Sequence, residues 1–138
     1  MAWIFFAFLS AGAAAFTAIL AKIGVEGVPS TLATAIRTVV VLVFVWLMVI
    51  GFNEHRALSA LSRRSLVFLF LSGVGTGVSW LAYFRALQLG PASRVAPIDK
   101  LSLPLTIVLA ALWLGEAMTA RLIVGVALMT IGALLTIS

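Results

Sequence analysis

Five apolar stretches, each long enough to cross a bilayer and separated by turn-forming segments, constrain this chain more than any other feature. A spanning helix needs about 20 mostly apolar residues, with a range of roughly 17–25. Ala2 to Ala21 carry no charged side chain, Thr31 to Phe52 carry only Arg37, and Ser65 to Phe84 carry none, with the apolar pattern running on to Leu89. Ala92 to Leu114 hold Arg94, Asp99 and Lys100, and Leu122 to Ser138 are uncharged. The pattern predicts an all-α integral membrane protein, one domain over residues 1–138 with five transmembrane helices. Their expected extents are about 2–22, 31–52, 65–89, 92–115 and 119–137.

Composition closes the other routes. The chain is 64% hydrophobic and only 9% charged, so as a soluble globule it would present large apolar patches to water. There is no cysteine and a single histidine, His55, which excludes thiolate metal sites and leaves no partner for a His-based metal or nucleophile–base pair. No metal and no cofactor is expected. The nine basic residues are scattered between apolar runs and form no basic stripe, so nucleic acid is not an expected partner. The expected surroundings are the lipid bilayer.

The connections agree with the spans. Gly24, Gly27 and Pro29 punctuate the first link, and Gly90-Pro91 ends the third helix and opens the fourth. Gly115-Glu116 ends the fourth, and Thr119 is placed to cap the fifth. The longer link, Asn53–Arg64, mixes Ala57, Leu58 and Leu61 with Arg56, Arg63 and Arg64, which suggests a short helix lying in the interface. The Ala-rich first stretch is expected as a retained helix and not a cleaved signal, because no basic residue precedes its apolar run.

Orientation is weakly specified. Calling the N-terminal face side A, the side-A loops carry four basic residues: Arg56, Arg63, Arg64 and Arg121. Side B carries Lys22, Arg85 and Arg94, or five with the deeper Lys100 and Arg37. The bias that ordinarily fixes topology is nearly absent. Two readings stay open on this count: insertion both ways round, or a single orientation in which the arginines of the longest loop hold side A in the cytoplasm.

Several charges lie deeper than an interface. A charge near the bilayer centre costs about 2.5–3.5 kcal/mol on insertion scales. Arg37 lies about two helical turns into the second span, Arg85 one turn from the end of the third, and Asp99 and Lys100 about two turns into the fourth. With Lys22, Glu26 and Arg94 at the interface above them, the side-B half holds five basic and two acidic side chains, a formal +3. This reads as a polar vestibule open to one face. Arg85 and Arg94, close to span ends, suit snorkelling to the headgroups. Asp99 cannot reach that far, and neighbours on a helix diverge by about 100°. Its expected partner is therefore on another helix, with Arg37 at matching depth, and its expected role is that of a proton- or cation-coupling candidate.

The fourth span also carries Pro97 and Pro104. Each proline frees the carbonyl four residues earlier, here Ser93 and Lys100, which predicts a broken helix lining a cavity. The alternative is a kink satisfied by the Ser93 or Ser102 hydroxyl. In the third span, Gly73, Gly75 and Gly77 suggest close helix packing. Trp80 and Tyr83 share a face there. Trp3, Trp46 and Trp113 suit a side-A belt, whereas Trp80 sits deep and suits a pocket wall or a helix contact equally.

The run from Ser79-Trp80-Leu81-Ala82-Tyr83-Phe84-Arg85-Ala86-Leu87 through Gly90-Pro91-Ala92-Ser93 and Pro97-Ile98-Asp99-Lys100-Leu101 to Leu114-Gly115-Glu116 resembles the EamA domain, the repeat unit of the drug/metabolite transporter superfamily. The resemblance covers essentially the whole chain and is strongest over residues 73–137. Most relatives join two such five-helix units in opposite orientations and bind substrate between them. A chain with one unit resembles the short bacterial or archaeal form, which implies a multi-pass protein of the plasma (inner) membrane working as an antiparallel homodimer, or with an inverted partner. It further implies a secondary transporter moving a small metabolite, amino acid or drug-like compound by alternating access. Small multidrug resistance relatives couple to protons through a glutamate in the first helix. Residues Ala2 to Ala21 contain no acid, so that mechanism does not carry over.

On this reading Arg37, Arg85 and Lys100 attract an anionic group of the substrate, Trp80 and Tyr83 pack against it, Asp99 takes a proton or an amine, and Pro97 and Pro104 break the helix. A non-transporting accessory subunit that needs an unlike partner is the alternative. No enzymatic role is expected, because no pair of catalytic groups at a workable separation is present.

Overall fold

The computed structural model describes residues 2–136. Among them all regular structure is helical: α1 (Ala2–Gly24), α2 (Ser30–Gly51), a 3-10 helix (Glu54–Ala60), α3 (Arg63–Leu89), α4 (Ala92–Asp99), α5 (Ser102–Leu114) and α6 (Ala120–Leu135). Four segments, α1, α2, α3 and the stretch Ala92–Leu114, are long and apolar enough to cross a membrane. The apolar α6 is shorter, at 16 residues. Its length is about 24 Å, against a hydrocarbon core of about 30 Å. Residue 137 of the expected fifth helix lies outside the described residues.

The chain divides into two compact units, Leu20–Gln88 and the described residues of Met1–Ile19 with Leu89–Ser138. In the first, the buried side chains are Val25, Thr34, Phe84 and Leu87. They come from the α1–α2 turn, the start of α2 and the end of α3, so this core sits at one end of the unit. Gly27 makes the turn possible with φ of 71°, a conformation that costs a residue with a Cβ. Away from that end the apolar side chains are exposed, Phe44 and Phe70 at 62% and 71% among them, which is tolerable where the neighbour is lipid and not water.

At the opposite end Asn53 turns the chain in the left-handed region, with φ of 58°, and the 3-10 helix follows. Ser62 then caps α3: its Oγ accepts the Ser65 N–H at 3.0 Å and lies 2.8 Å from Ser65 Oγ. This starts the helix at Arg63, so Arg63 and Arg64 occupy its first turn, and the Arg64 guanidinium rests 5.9 Å from the Phe68 ring one turn on.

In the second unit α6 packs against both α4 and α5, and Ala133 is its buried residue. Gly115 ends α5 in the left-handed region, φ 68°, with the Glu116 N–H donating back to Ala110 O at 3.3 Å. Thr119 caps α6 through its hydroxyl oxygen, which accepts the Leu122 N–H at 3.3 Å.

One packing expectation is corrected. A Cβ added at Gly73, Gly75 or Gly77 would meet no atom within 4 Å, so within their unit these glycines serve no close helix approach. The unit's buried side chains lie toward its Gln88 end, and its helices meet through larger side chains, Arg37 and Trp80 among them.

Candidate functional site

In the unit Leu20–Gln88, α2 and α3 bring Arg37 and Trp80 together. The Arg37 Cζ lies over the Trp80 ring, 4.3 Å from its centroid, and 5.5 Å from the Phe84 centroid. Trp80 and Phe84 are one helical turn apart and so present both rings to the same neighbour. A desolvated cation–π contact is worth about 2 kcal/mol or more, the same order as the cost of placing an arginine at membrane depth. Tyr83 packs its ring edge-on against Phe84, at 6.4 Å and 73°. Asp99, placed at matching depth by the sequence, is not what the guanidinium rests on within this unit. Aromatic faces take that role.

Below the rings a set of polar bonds fastens the helix ends. Lys22 Nζ, on the last turn of α1, donates to Leu87 O at 2.6 Å. The last four carbonyls of any helix lack an intrahelical donor, and a cation there also opposes the helix dipole. Gln88 Nε2 donates to Val25 O at 3.4 Å and to Val28 O at 2.5 Å, satisfying the turn between α1 and α2. Gln88 Oε1 in turn accepts from Arg85 Nη1 at 3.2 Å, so the exposed Arg85 is tied back to its own helix. Thr34, buried beside them, donates its hydroxyl to Ser30 O at 2.8 Å, and Thr38 does the same to Thr34 O. Lys22 and Gln88 passed unnoticed as partners because polar residues at helix ends are common; the signal was their position on the last turns of two helices joined by a short loop. Lys22→Met is expected to remove about 1.5 kcal/mol, the low end for a hydrogen bond to a charged group, and to lower the thermal midpoint in detergent. An unchanged midpoint would show the bond to be dispensable.

The second unit places Asp99, Lys100, Pro97 and Pro104 around a break. The fourth span stops as a helix at Asp99 and restarts at Ser102. Pro104 is the third residue of α5, inside the first turn, where an N–H has no helical acceptor anyway. The helix therefore restarts two residues ahead of the proline. Lys100 O, which residue 104 cannot bond, accepts the Leu103 N–H at 3.0 Å, and the Leu101 N–H goes to Ile98 O at 2.9 Å. Tight i to i+3 bonds thus bridge the gap. Ser102 does not provide its hydroxyl for it; its carbonyl accepts from Thr106 Oγ1 at 2.8 Å.

At this break Lys100 Nζ and Asp99 Oδ2 form an ion pair at 3.2 Å. The expectation that adjacent residues could not pair is overturned. The backbone stays right-handed through Lys100 and Leu101 but tightens to i to i+3 bonds, and the long lysine side chain folds back to the neighbouring carboxylate. Lys100 thereby sits at the negative end of α4, and Asp99 precedes the positive end of α5. The pair is accessible, with Lys100 55% and Asp99 33% exposed. Among the described residues no group of three or more His, Cys, Asp or Glu is placed to hold a metal ion.

Four apolar helices of membrane-crossing length fit a multi-pass membrane protein. The chain belongs to the EamA-like transporter family, which it matches over residues 1–138. It is 48% identical over 133 residues to a Sinorhizobium sp. protein described as an "Uncharacterized transporter in cobO 3'region", a match covering 96% of this chain and 94% of that one. No solved structure matches the chain.

Proposed function

We propose that the protein is one half of a secondary active transporter that moves a small metabolite, amino acid or drug-like compound by alternating access. The observation that carries this reading is the interruption at Lys100–Leu101, with the half-buried Asp99 and the exposed Lys100 paired beside it. Interrupted helices with charged side chains at membrane depth are the usual material of transporter sites, because freed backbone groups survive there only against protein or water in a cavity. Family membership supports the same class.

The chain crosses the bilayer five times, with α6 accommodated by local thinning of the bilayer, and it resides in the inner membrane of a bacterium or archaeon. Two copies in opposite orientations form the transporter. The near-even distribution of basic residues supports insertion both ways, and a second copy supplies the close approach for which Gly73 and Gly77 have no user within their unit. Substrate meets Arg37, Arg85 and Lys100 through an anionic group, with Trp80 and Tyr83 nearby, while Asp99 is the coupling residue.

The test is topology. Ser59 lies exposed in the 3-10 helix, and the sequence holds no other cysteine to confuse a Ser59→Cys label. In intact cells, with lysed cells as the total, a membrane-impermeant thiol reagent is expected to label roughly half the chains. Labelling of nearly all or none means one orientation, and the accessory-subunit reading then takes precedence.

A further inference from the structure

The cations of the unit Leu20–Gln88 are not equivalent. Lys22 donates to Leu87 O and Arg85 to Gln88, so both have protein acceptors. Arg37 makes no hydrogen bond or ion pair to the described residues; its guanidinium lies against the Trp80 and Phe84 rings and interacts electrostatically with Tyr83. The only acids in this stretch of sequence are Glu26, in the α1–α2 turn, and Glu54, in the 3-10 helix, so neither α2 nor α3 brings a carboxylate to Arg37. A guanidinium carries five N–H donors in its plane, in a fork that matches a carboxylate with two parallel bonds. Aromatic rings satisfy the charge without consuming any of those donors. The result is an arginine held in place with its hydrogen-bonding edge unspent, at a depth where unspent donors are costly.

We infer that Arg37 is an oxyanion-binding site, and that the substrate class of this protein is organic carboxylates. This rests on the transporter reading above and sharpens it. The Trp80 and Phe84 rings carry the arginine; they do not carry the substrate. Lys22, bonded to Leu87 O, adds long-range attraction, and Arg85, which spends Nη1 on Gln88, is a secondary contact. A bound carboxylate cancels the Arg37 charge, so the occupied site is neutral where the empty one is cationic.

The experiment uses the purified full chain in phosphatidylcholine nanodiscs, with Trp3→Phe, Trp46→Phe and Trp113→Phe introduced so that Trp80 is the sole tryptophan emitter. Benzoate is the probe, and benzamide, similar in shape but uncharged, is its control. Benzoate is expected to change Trp80 emission saturably, and benzamide to have no effect. Arg37→Gln should abolish the response. Arg37→Lys, which keeps the charge and guards against a misfolded Gln variant, should weaken it about tenfold or more by losing the second hydrogen bond. Equal responses to benzoate and benzamide, or a full response in Arg37→Lys, overturn the assignment.

A lipid phosphate is the other source of an oxyanion. If phosphatidylglycerol in the nanodisc produces the emission change by itself and abolishes the response to benzoate, Arg37 is a lipid anchor and the substrate assignment falls. The readout is equilibrium binding, independent of orientation. Loss of benzoate binding in a dual-topology protein removes the carboxylate class alone, whereas binding in a singly oriented protein removes the inverted dimer alone.

Discussion

Asp99→Asn is expected to reduce coupled uptake into proteoliposomes by roughly 100-fold or more, the scale of losing a positioned proton carrier, while the protein still assembles. Asp99 is the one acid within the apolar stretches of the chain, and its carboxylate is bonded to Lys100 at 3.2 Å, 33% exposed. The substitution has a second consequence. It leaves the Lys100 ammonium unpaired at membrane depth, at a cost of about 2.5–3.5 kcal/mol if nothing else approaches it. The double variant Asp99→Asn/Lys100→Met separates the two effects, because it removes the stray charge together with the coupling group. It is expected to recover the thermal midpoint lost in the single variant and to remain inactive in coupled uptake. Wild-type rates in the single variant would take Asp99 out of the mechanism.

The other large effect is expected from healing the broken helix. Pro97→Ala/Pro104→Ala restores an N–H at 104 for Lys100 O and removes two rings that resist a continuous helix. An interior proline disfavours a helix by about 3 kcal/mol relative to alanine. Pro104 stands in a first turn, so its own share is smaller until the restored donor lets α4 run into α5. The double variant is therefore expected to melt several degrees higher and to transport at least tenfold more slowly, because the ion pair loses the helix ends that flank it. A raised midpoint with an unchanged rate would make the break a feature of the fold and not of transport.

These expectations depend on which parts of the site were legible beforehand. Helix existence was legible because uncharged runs such as Ala2 to Ala21 leave the backbone no other way to satisfy its hydrogen bonds in lipid. A proline's missing donor is a local fact, so Lys100 O is readable as a carbonyl that needs another partner, and Thr119 is readable as a cap because its hydroxyl bonds within one turn. Partnerships were not. Depth along a span is one coordinate, and it placed Arg37 level with Asp99 without saying which way either side chain faces around its helix. The Trp80–Phe84 spacing holds that information, but the Trp80–Tyr83 spacing is compatible with one face as well. The Asp99–Lys100 pair was missed for a different reason. Adjacent residues diverge around a regular helix, but a lysine side chain is long enough to close that angle where the backbone tightens to i to i+3 bonds. The shorter α6, Ala120–Leu135, shows a third limit, since an apolar run fixes what a segment is made of but not where its last turn unwinds.

The bond between Lys22 and Leu87 spans 65 positions of sequence. During synthesis, at about 5–20 residues per second, several seconds separate the emergence of the amine from that of its acceptor. Throughout that interval α1 and α2 are in the translocation machinery or the membrane without the fastening that later joins them to α3. Their direction of insertion is then held by the loop charge made so far, Arg56, Arg63 and Arg64 on one side against Lys22 and the deeper Arg37 on the other. Whichever way a nascent chain enters, the lysine and its carbonyl meet on the same side, so the finished fastening is blind to orientation. Any commitment to one direction has to be made before the third helix arrives.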